Sequence, residues 1–179
     1  MAIQSVTCEI EGTSALLMHK FPLEPIEAPD KKTPEEQAEY AAYRDPETAM
    51  LYVPALAIQR SLVGAAVFSK GKGRASLQKV VAACVIVSPE YCDLGTKNYK
   101  VDARPVVVPA TRGRIVRHRP RLDEWKTTFT IEFDDGLLKS SQVRKVVDDA
   151  GTRVGLLDFR PERKGPFGRF IVTKWETNT

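Results

Sequence analysis

The chain has 179 residues, a formal net charge of +4 and a hydrophobic fraction of 42%, which suits one globular domain with a buried core. No apolar run approaches the ~18 residues of a membrane helix, and the N-terminus lacks a basic-then-apolar leader. We therefore expect a soluble, cytoplasmic protein that does not contact a membrane. The basic balance permits a polyanionic partner without proving one.

The cysteines and histidines argue against disulfides and metal. Cys8 and Cys84 fall in apolar strand patterns, Cys92 falls in a loop without a CxxC partner, and three cysteines cannot all pair. Only His19 and His118 could complete a zinc site. We expect reduced thiols, no metal and no cofactor.

The N-terminal part of the chain predicts a strand followed by an acidic insertion. Residues 3–11 alternate, with Val6, Cys8 and Ile10 on one face, and the apolar run that follows closes at Pro22. Residues 22–49 are interpreted as an inserted acidic flap, because eight acids lie between Glu24 and Glu47. Within it, a weak helical patch begins at Thr33 and Pro34.

The middle of the chain predicts a helix, a strand and a basic excursion. Helical spacing runs from Ala55 to near Phe68, and a basic, glycine-containing exit follows. The β-branched run at residues 79–88 predicts a strand buried on both faces or inside a small sheet. Residues 90–124 could form a β-hairpin arm that turns at Arg112 and Gly113, and five arginines with no acid lie between Arg112 and Arg121.

The C-terminal third completes an α+β order. Residues 125–133 alternate as a strand, with Trp125 on the core face. A short helix capped by Ser140 or Ser141 ends before Gly151, and residues 170–175 supply the last strand. The order βαββαβ predicts a ferredoxin-like, RRM-like fold, with two helices on one face of an antiparallel four-stranded sheet and a polar opposite face. We treat residues 1–179 as one domain.

The stretch before the last strand, GLLDFRPERKGPFGRF, combines glycines, cations and aromatic rings. Glycine lets backbone approach a ligand, guanidinium groups grip phosphates, and rings stack on bases. The simpler interpretation is a surface loop with solvated charges.

Three segments together resemble a known superfamily. They are GTSALLMHKF after the first strand, YVPALAIQRSLVGAA at the first helix, and a G-x-x-x-x-R then G-x-F-G-R-F pattern before the last strand. This order is similar to that of the repeat-associated mysterious protein (RAMP) superfamily of CRISPR effector subunits. The filament-forming backbone subunits are the most similar, since residues 90–124 lie where those proteins carry a thumb-like excursion. The family often has aliphatic-Pro-Gly-Ser where this chain has Val53-Pro54-Ala55-Leu56.

The resemblance implies a ferredoxin-like core and RNA binding without base readout, by a guide-RNA-binding backbone subunit or a minimal relative of one. The implied partners are RNA, including a guide RNA, or single-stranded DNA, other effector subunits, and further copies of the chain arranged head to tail. The candidate binding residues are cations, His118 and one stacking ring: Arg60, Lys70, Lys72, Arg74, Arg112, Arg114, Arg117, His118, Arg119, Arg121, Arg160, Arg163, Lys164, Phe167 and Arg169.

Two alternatives stay open. The first is a RAMP-type endoribonuclease in which His19 acts as the general base, with Asp30 and Asp45 nearby in the flap. The second is a non-CRISPR single-strand-binding protein or an adaptor, whose acidic flap docks on the basic arm of a neighbouring copy.

Overall fold

The computed structural model describes residues 2–21, 23 and 32–178. The strands are β1 (Ile3–Gly12), β2 (Leu16–Leu17), β3 (Tyr52–Pro54), β4 (Val85–Ser88), β5 (Tyr91–Asp93), β6 (Lys100–Val107), β7 (Arg114–Leu122), β8 (Lys126–Asp134) and β9 (Phe170–Asn178). The helices are α1 (Pro34–Tyr40), α2 (Ala55–Ala65), α3 (Gln78–Cys84) and α4 (Ser140–Asp149). No helix in these ranges is both long and apolar enough to cross a membrane.

The main sheet has four strands in the order β4-β8-β1-β9, and every neighbouring pair is antiparallel. Helix α2 lies between the first two of these strands along the chain, and α4 lies between the last two. The protein is therefore a mixed α+β structure, and its strand order is compatible with the predicted ferredoxin-like arrangement.

The core lies on one face of this sheet. Val6, Cys8 and Ile10 are fully buried, as the alternation in β1 predicts, and the core-facing residues of β8 join them. The helices cover these residues with apolar stripes, which include Ile58 and Leu62 on α2. On the opposite face the side chains at the centre of β1 and β8 are polar and exposed or half-buried, as predicted for a face without helices; they include Ser5, Thr7, Thr128, Thr130 and Glu132. Around them this face also carries three exposed isoleucines, Ile3, Ile86 and Ile171.

The prediction of one strand over residues 79–88 is wrong in its first half. Residues Gln78–Cys84 form α3, and only Val85–Ser88 form a strand. Leu77 and Val81, four residues apart, are both buried, so the segment gains its burial at helical spacing. Packing against neighbours therefore overrides the β-propensity of its valines.

Two cysteine placements also differ from the prediction. Cys84 ends α3, and Cys92 lies buried in β5 rather than in a loop. Cys8, Cys84 and Cys92 are all free thiols. Burial raises the pKa of both Cys8 and Cys92 to about 12, so these two thiols are unreactive in the folded protein.

Within the excursion predicted at residues 90–124, residues 100–122 form the hairpin, which we call the arm, whereas Tyr91–Asp93 pair with β3 instead. Strands β6 and β7 pair antiparallel from Lys100 opposite Arg121 to Val107 opposite Arg114, and β2 adds a short third strand on β7. Residues opposite one another share a face. One face of the arm therefore carries Asp102, Arg104, Arg117 and Arg119, and the other carries His118.

Part of the acidic flap lies outside the described residues, namely Pro22 and residues 24–31, which include Asp30. The described part contains α1, which begins as predicted: the Thr33 hydroxyl accepts a hydrogen bond from the Glu36 amide at 3.2 Å, and the Glu36 carboxylate accepts one from the Thr33 amide at 3.2 Å. This reciprocal pair satisfies two amides at the helix N-terminus.

Both ends of α4 differ from the sequence-based prediction. The N-cap is Lys139, whose amide donates to Gln142 Oε1 at 2.8 Å, rather than Ser140 or Ser141. At the other end the helix continues as a π-helical turn over Ala150–Val154, so Gly151 lies inside it. A Cβ at Gly151 would lie 2.1 Å from the Phe170 carbonyl oxygen. Glycine is therefore required there by close packing against β9.

Candidate nucleic-acid interface

The glycine-rich loop (residues 155–169) folds tightly on itself. The amide of Leu156 donates to the carbonyl of Gly168 at 3.0 Å, and a Cβ at Gly168, where φ is 78°, would lie 2.1 Å from the Leu156 carbonyl oxygen. A Cβ at Gly165 would lie 1.9 Å from the Phe159 carbonyl oxygen. These glycines therefore permit close contacts within the loop, rather than the approach to a ligand that the sequence suggested.

An aromatic ring joins this loop to the arm. Phe167 is 4% exposed, and the guanidinium groups of Arg104 and Arg121 lie 4.7 and 5.4 Å from its ring centroid. Arg121 also contacts two carboxylates, those of Asp102 and Asp123. Phe167 is thus a structural contact between loop and arm, with no face open for a base, and Arg121 is already neutralised.

A partly buried ion pair makes a second link between the same two segments. Arg119 is 6% exposed, and its Nη1 donates to Asp158 Oδ2 of the loop. Burial raises the pKa of Asp158, but the contact with His19 and the charge of Arg119 outweigh burial and hold that pKa below its ordinary value. Arg119 therefore does not lie on a surface where it could meet a phosphate, which corrects its assignment as a binding residue.

His19 completes this network. Its Nδ1 lies 3.6 Å from Asp158 Oδ2, and its Nε2 lies 3.4 Å from Arg117 Nη1. This geometry fits the tautomer with the proton on Nδ1, because Arg117 can only donate. The histidine that follows β2 is therefore held between the arm and the glycine-rich loop.

These groups open on a cleft of roughly 240 Å³. Four elements supply its lining: the segment that follows β2, the segment that follows α1, helix α2, and the glycine-rich loop. Arg60 is exposed on α2, and none of the described acidic side chains pairs with it. The lining residues are His19, Tyr43, Ala57, Arg60, Ser61, Gly155, Leu157, Asp158 and Arg160.

The flap and the arm meet within one chain. Helix α1 packs against β7, and His118 Nδ1 lies 3.0 Å from Gln37 Oε1. His118 thus contacts α1 rather than standing free among the arginines for a phosphate. The contact that the adaptor hypothesis assigns to neighbouring copies is, for this helix, intramolecular.

The remaining candidate cations are exposed and fall in three places. Arg112 and Arg114 lie at the tip of the arm, Arg163 and Lys164 lie in the glycine-rich loop, and the third group follows α2; no described acidic side chain pairs with any of them. The group after α2 consists of Lys70, Lys72 and Arg74. Arg169 is exposed as well, and its Nη1 donates to the Thr152 carbonyl at 3.2 Å.

The open face of the main sheet offers no stacking platform. Its central strands present Thr7, Glu9, Thr128 and Glu132, so it lacks the aromatic rings by which a sheet of this kind stacks bases. Among residues 2–21, 23 and 32–178, no three His, Cys, Asp or Glu side chains are grouped so as to hold a metal ion.

Sequence reasoning missed three residues of this region. The cleft is lined by Asp158 and Tyr43, and the junction between loop and arm includes Arg104, which lies over Phe167. None of the three was among the predicted binding residues. One signal was present in the case of Asp158: a single acid within a basic loop is a natural partner for an arginine that becomes buried.

Comparison with known proteins supports the fold. No protein-family model matches the chain, and no curated protein matches its sequence. Among solved structures, a chain in the cryo-EM structure of the type III-B Cmr-beta bound to cognate target RNA is similar, with a TM-score of 0.59 and 12% sequence identity. The match covers 98% of this chain, which spans 60% of the length of the matched chain. At this identity the likeness concerns the fold alone.

Proposed function

We propose that the protein binds single-stranded RNA without reading its sequence. The observation that carries the proposal is the pair Arg112 and Arg114, exposed at the tip of an arm whose base is fixed to the core. Guanidinium groups that no carboxylate of the described chain neutralises are suited to phosphate oxygens. The buried Phe167 and the polar open sheet face both favour backbone contacts over base contacts.

The exposed cations of the glycine-rich loop and of the turn after α2 are further candidate contacts. They carry the same chemistry as the arm tip, exposed positive charge on flexible side chains, and each phosphate they neutralise releases counterions. Arg117 and Arg160 are half-buried, and Arg160 is paired with Glu162, so these two contribute through their remaining donors. The proposed contact residues are Arg60, Lys70, Lys72, Arg74, Arg112, Arg114, Arg117, Arg160, Arg163, Lys164 and Arg169.

A role in a CRISPR-type effector complex is the finer proposal. It is supported by the resemblance of three segments to the RAMP superfamily and by the fold shared with a chain of an RNA-bound type III-B structure. In that role the protein is a ferredoxin-like, guide-RNA-binding backbone subunit that works in the cytoplasm beside other copies and other effector subunits. The protein would then act within an assembled complex of these subunits and the guide RNA.

The test is RNA binding by the purified protein over a range of salt. We expect similar affinities for unrelated single-stranded sequences. We also expect affinity to fall as salt rises, with a slope of log affinity against log salt concentration that steepens by roughly one unit per phosphate contact. Size-exclusion chromatography with and without RNA distinguishes assembly on RNA from assembly of the protein alone. A strong preference for one sequence, or affinity insensitive to salt, would contradict the proposal.

A second function is favoured by the contacts of His19. An imidazole with Nδ1 beside a carboxylate and Nε2 directed toward an arginine resembles a general base with its charge stabiliser. Once the substrate displaces the contact between Arg117 and Nε2, this nitrogen would take the proton of a ribose 2′-hydroxyl, whose oxygen then attacks the adjacent phosphorus. The bond between phosphorus and the 5′-oxygen breaks, and this oxygen takes a proton from a solvent water, giving a 2′,3′-cyclic phosphate and a 5′-hydroxyl; the proton on His19 then returns to solvent. Shortening of labelled RNA that is lost in His19→Ala would establish this function.

A further inference from the structure

We infer that the cleft between α2 and the glycine-rich loop binds the terminal phosphate monoester of an RNA strand. This inference rests on the proposed RNA binding and adds a site that recognises a strand end. Its first support is the floor of the cleft. Ser61, Gly155 and Leu157 are all buried, and the Ser61 hydroxyl donates to the Gly155 carbonyl at 2.8 Å. A cleft that is closed at its base can accept the end of an RNA strand, whereas the interior of a strand needs a groove that is open at both ends.

The size of the cleft points to the same kind of group. Its volume of roughly 240 Å³ lies below the roughly 300–1,000 Å³ of sites that enclose drug-sized ligands. A phosphate and part of its ribose fit such a space. The rest of the strand would leave over the rim, toward the exposed cations of the loop.

The donors in the cleft match the oxygens of a monoester. Arg60 has no described acidic partner. Arg160 uses three of its donors, two on Glu162 and one on the Leu157 carbonyl, so two of the five in a guanidinium remain. Burial and the Asp158 carboxylate raise the pKa of Tyr43, so its hydroxyl stays protonated and can donate. A phosphate monoester offers three free oxygens and up to two charges, one charge more than a diester.

The carboxylate in the cleft does not oppose an anion. The charge of Asp158 is compensated from beneath by Arg119, which is itself buried. The positive charge of Arg60 and the remaining donors of Arg160 are therefore left to face the ligand.

The experiment compares RNAs of one sequence that differ only at their ends: hydroxyl at both, phosphate at the 5′ end, and phosphate at the 3′ end. We expect one phosphorylated form to bind roughly tenfold more tightly than the hydroxyl form, the ratio that one or two charge-assisted hydrogen bonds provide. Excess inorganic phosphate should remove this gain. Which end binds more tightly identifies the terminus that the cleft receives.

Two variants keep the inference falsifiable. Arg60 is exposed, so Arg60→Gln should fold normally and lose the gain from the terminal phosphate. Lys126→Gln, a matched change on the open sheet face, should keep it. Equal binding of all three RNAs, or a gain that survives in Arg60→Gln, overturns this inference and leaves general RNA binding in place. Failure of every RNA to bind overturns both.

Discussion

Arg119 of β7 donates a hydrogen bond to Asp158 of the glycine-rich loop, and the buried arginine and partly buried carboxylate connect the arm to the core. The residues are 39 positions apart in the chain. The same loop holds Phe167 under the guanidinium groups of Arg104 and Arg121. The arm is therefore fixed at its base, while its tip at Arg112 and Arg114 stays exposed.

We expect Arg119→Met to lower the free energy of unfolding by about 3 kcal/mol, because it leaves a partly buried Asp158 carboxylate without its partner. Urea denaturation measures this loss. The double variant Arg119→Met/Asp158→Asn should recover part of it, since no unpaired charge then remains. If the double variant is as destabilised as the sum of the two single variants, the pair is not coupled.

The same carboxylate predicts a dependence of stability on pH. The pKa of Asp158 is lower in the folded protein than its ordinary value, so the folded state binds a proton at this group less readily than the unfolded state does. Its contribution is present in full above the unfolded pKa of about 3.9 and is lost as the pH falls through the folded value. We expect the melting temperature of Asp158→Asn to fall less steeply with decreasing pH than that of the unmodified protein. Thermal unfolding followed from pH 6 downward, over about 3 pH units, measures this difference.

Periodicity predicted the two long core strands and the two sheet-covering helices because those residues bury one face at regular spacing. It failed at residues 79–84, which form most of α3: the β-branched Val81 is buried there one helical turn after Leu77. The site was harder to predict. Arg119, Arg121 and Phe167 have the composition of an RNA-binding surface, yet each is used internally. Which arginine faces solvent depends on strand register and on acids distant in sequence, and a local pattern contains neither.

Glycine at position 168 should be essential to the loop. Its φ of 78° disfavours other residues, and a Cβ would lie 2.1 Å from the Leu156 carbonyl oxygen. We expect Gly168→Ala to cost on the order of 2 kcal/mol through backbone strain and displacement of the loop. Gly113→Ala at the arm tip is the control, because a Cβ there meets only Thr111 Oγ1 at 3.4 Å. Equal melting temperatures for the two variants would contradict this account of the loop.

The three thiols should differ in reactivity. Burial raises the pKa of all three thiols, but Cys84 is partly exposed, whereas Cys8 and Cys92 are buried and have pKa values raised to about 12. In the native protein near neutral pH, we expect a thiol reagent to modify Cys84 first, and the other two only after unfolding. Mass spectrometry of the partly modified protein identifies the site. Early modification of Cys8 would mean that the sheet opens readily.

The arm tip gives the most direct test of the binding surface. We expect Arg112→Gln/Arg114→Gln to weaken RNA binding about equally for unrelated sequences and to reduce the slope of affinity against salt by roughly two units, one for each lost phosphate contact. Both residues are exposed, so stability should not change. Lys126→Gln/Lys174→Gln on the open sheet face removes the same charge and should leave the slope unaltered. If both pairs reduce the slope alike, net charge rather than the arm determines binding.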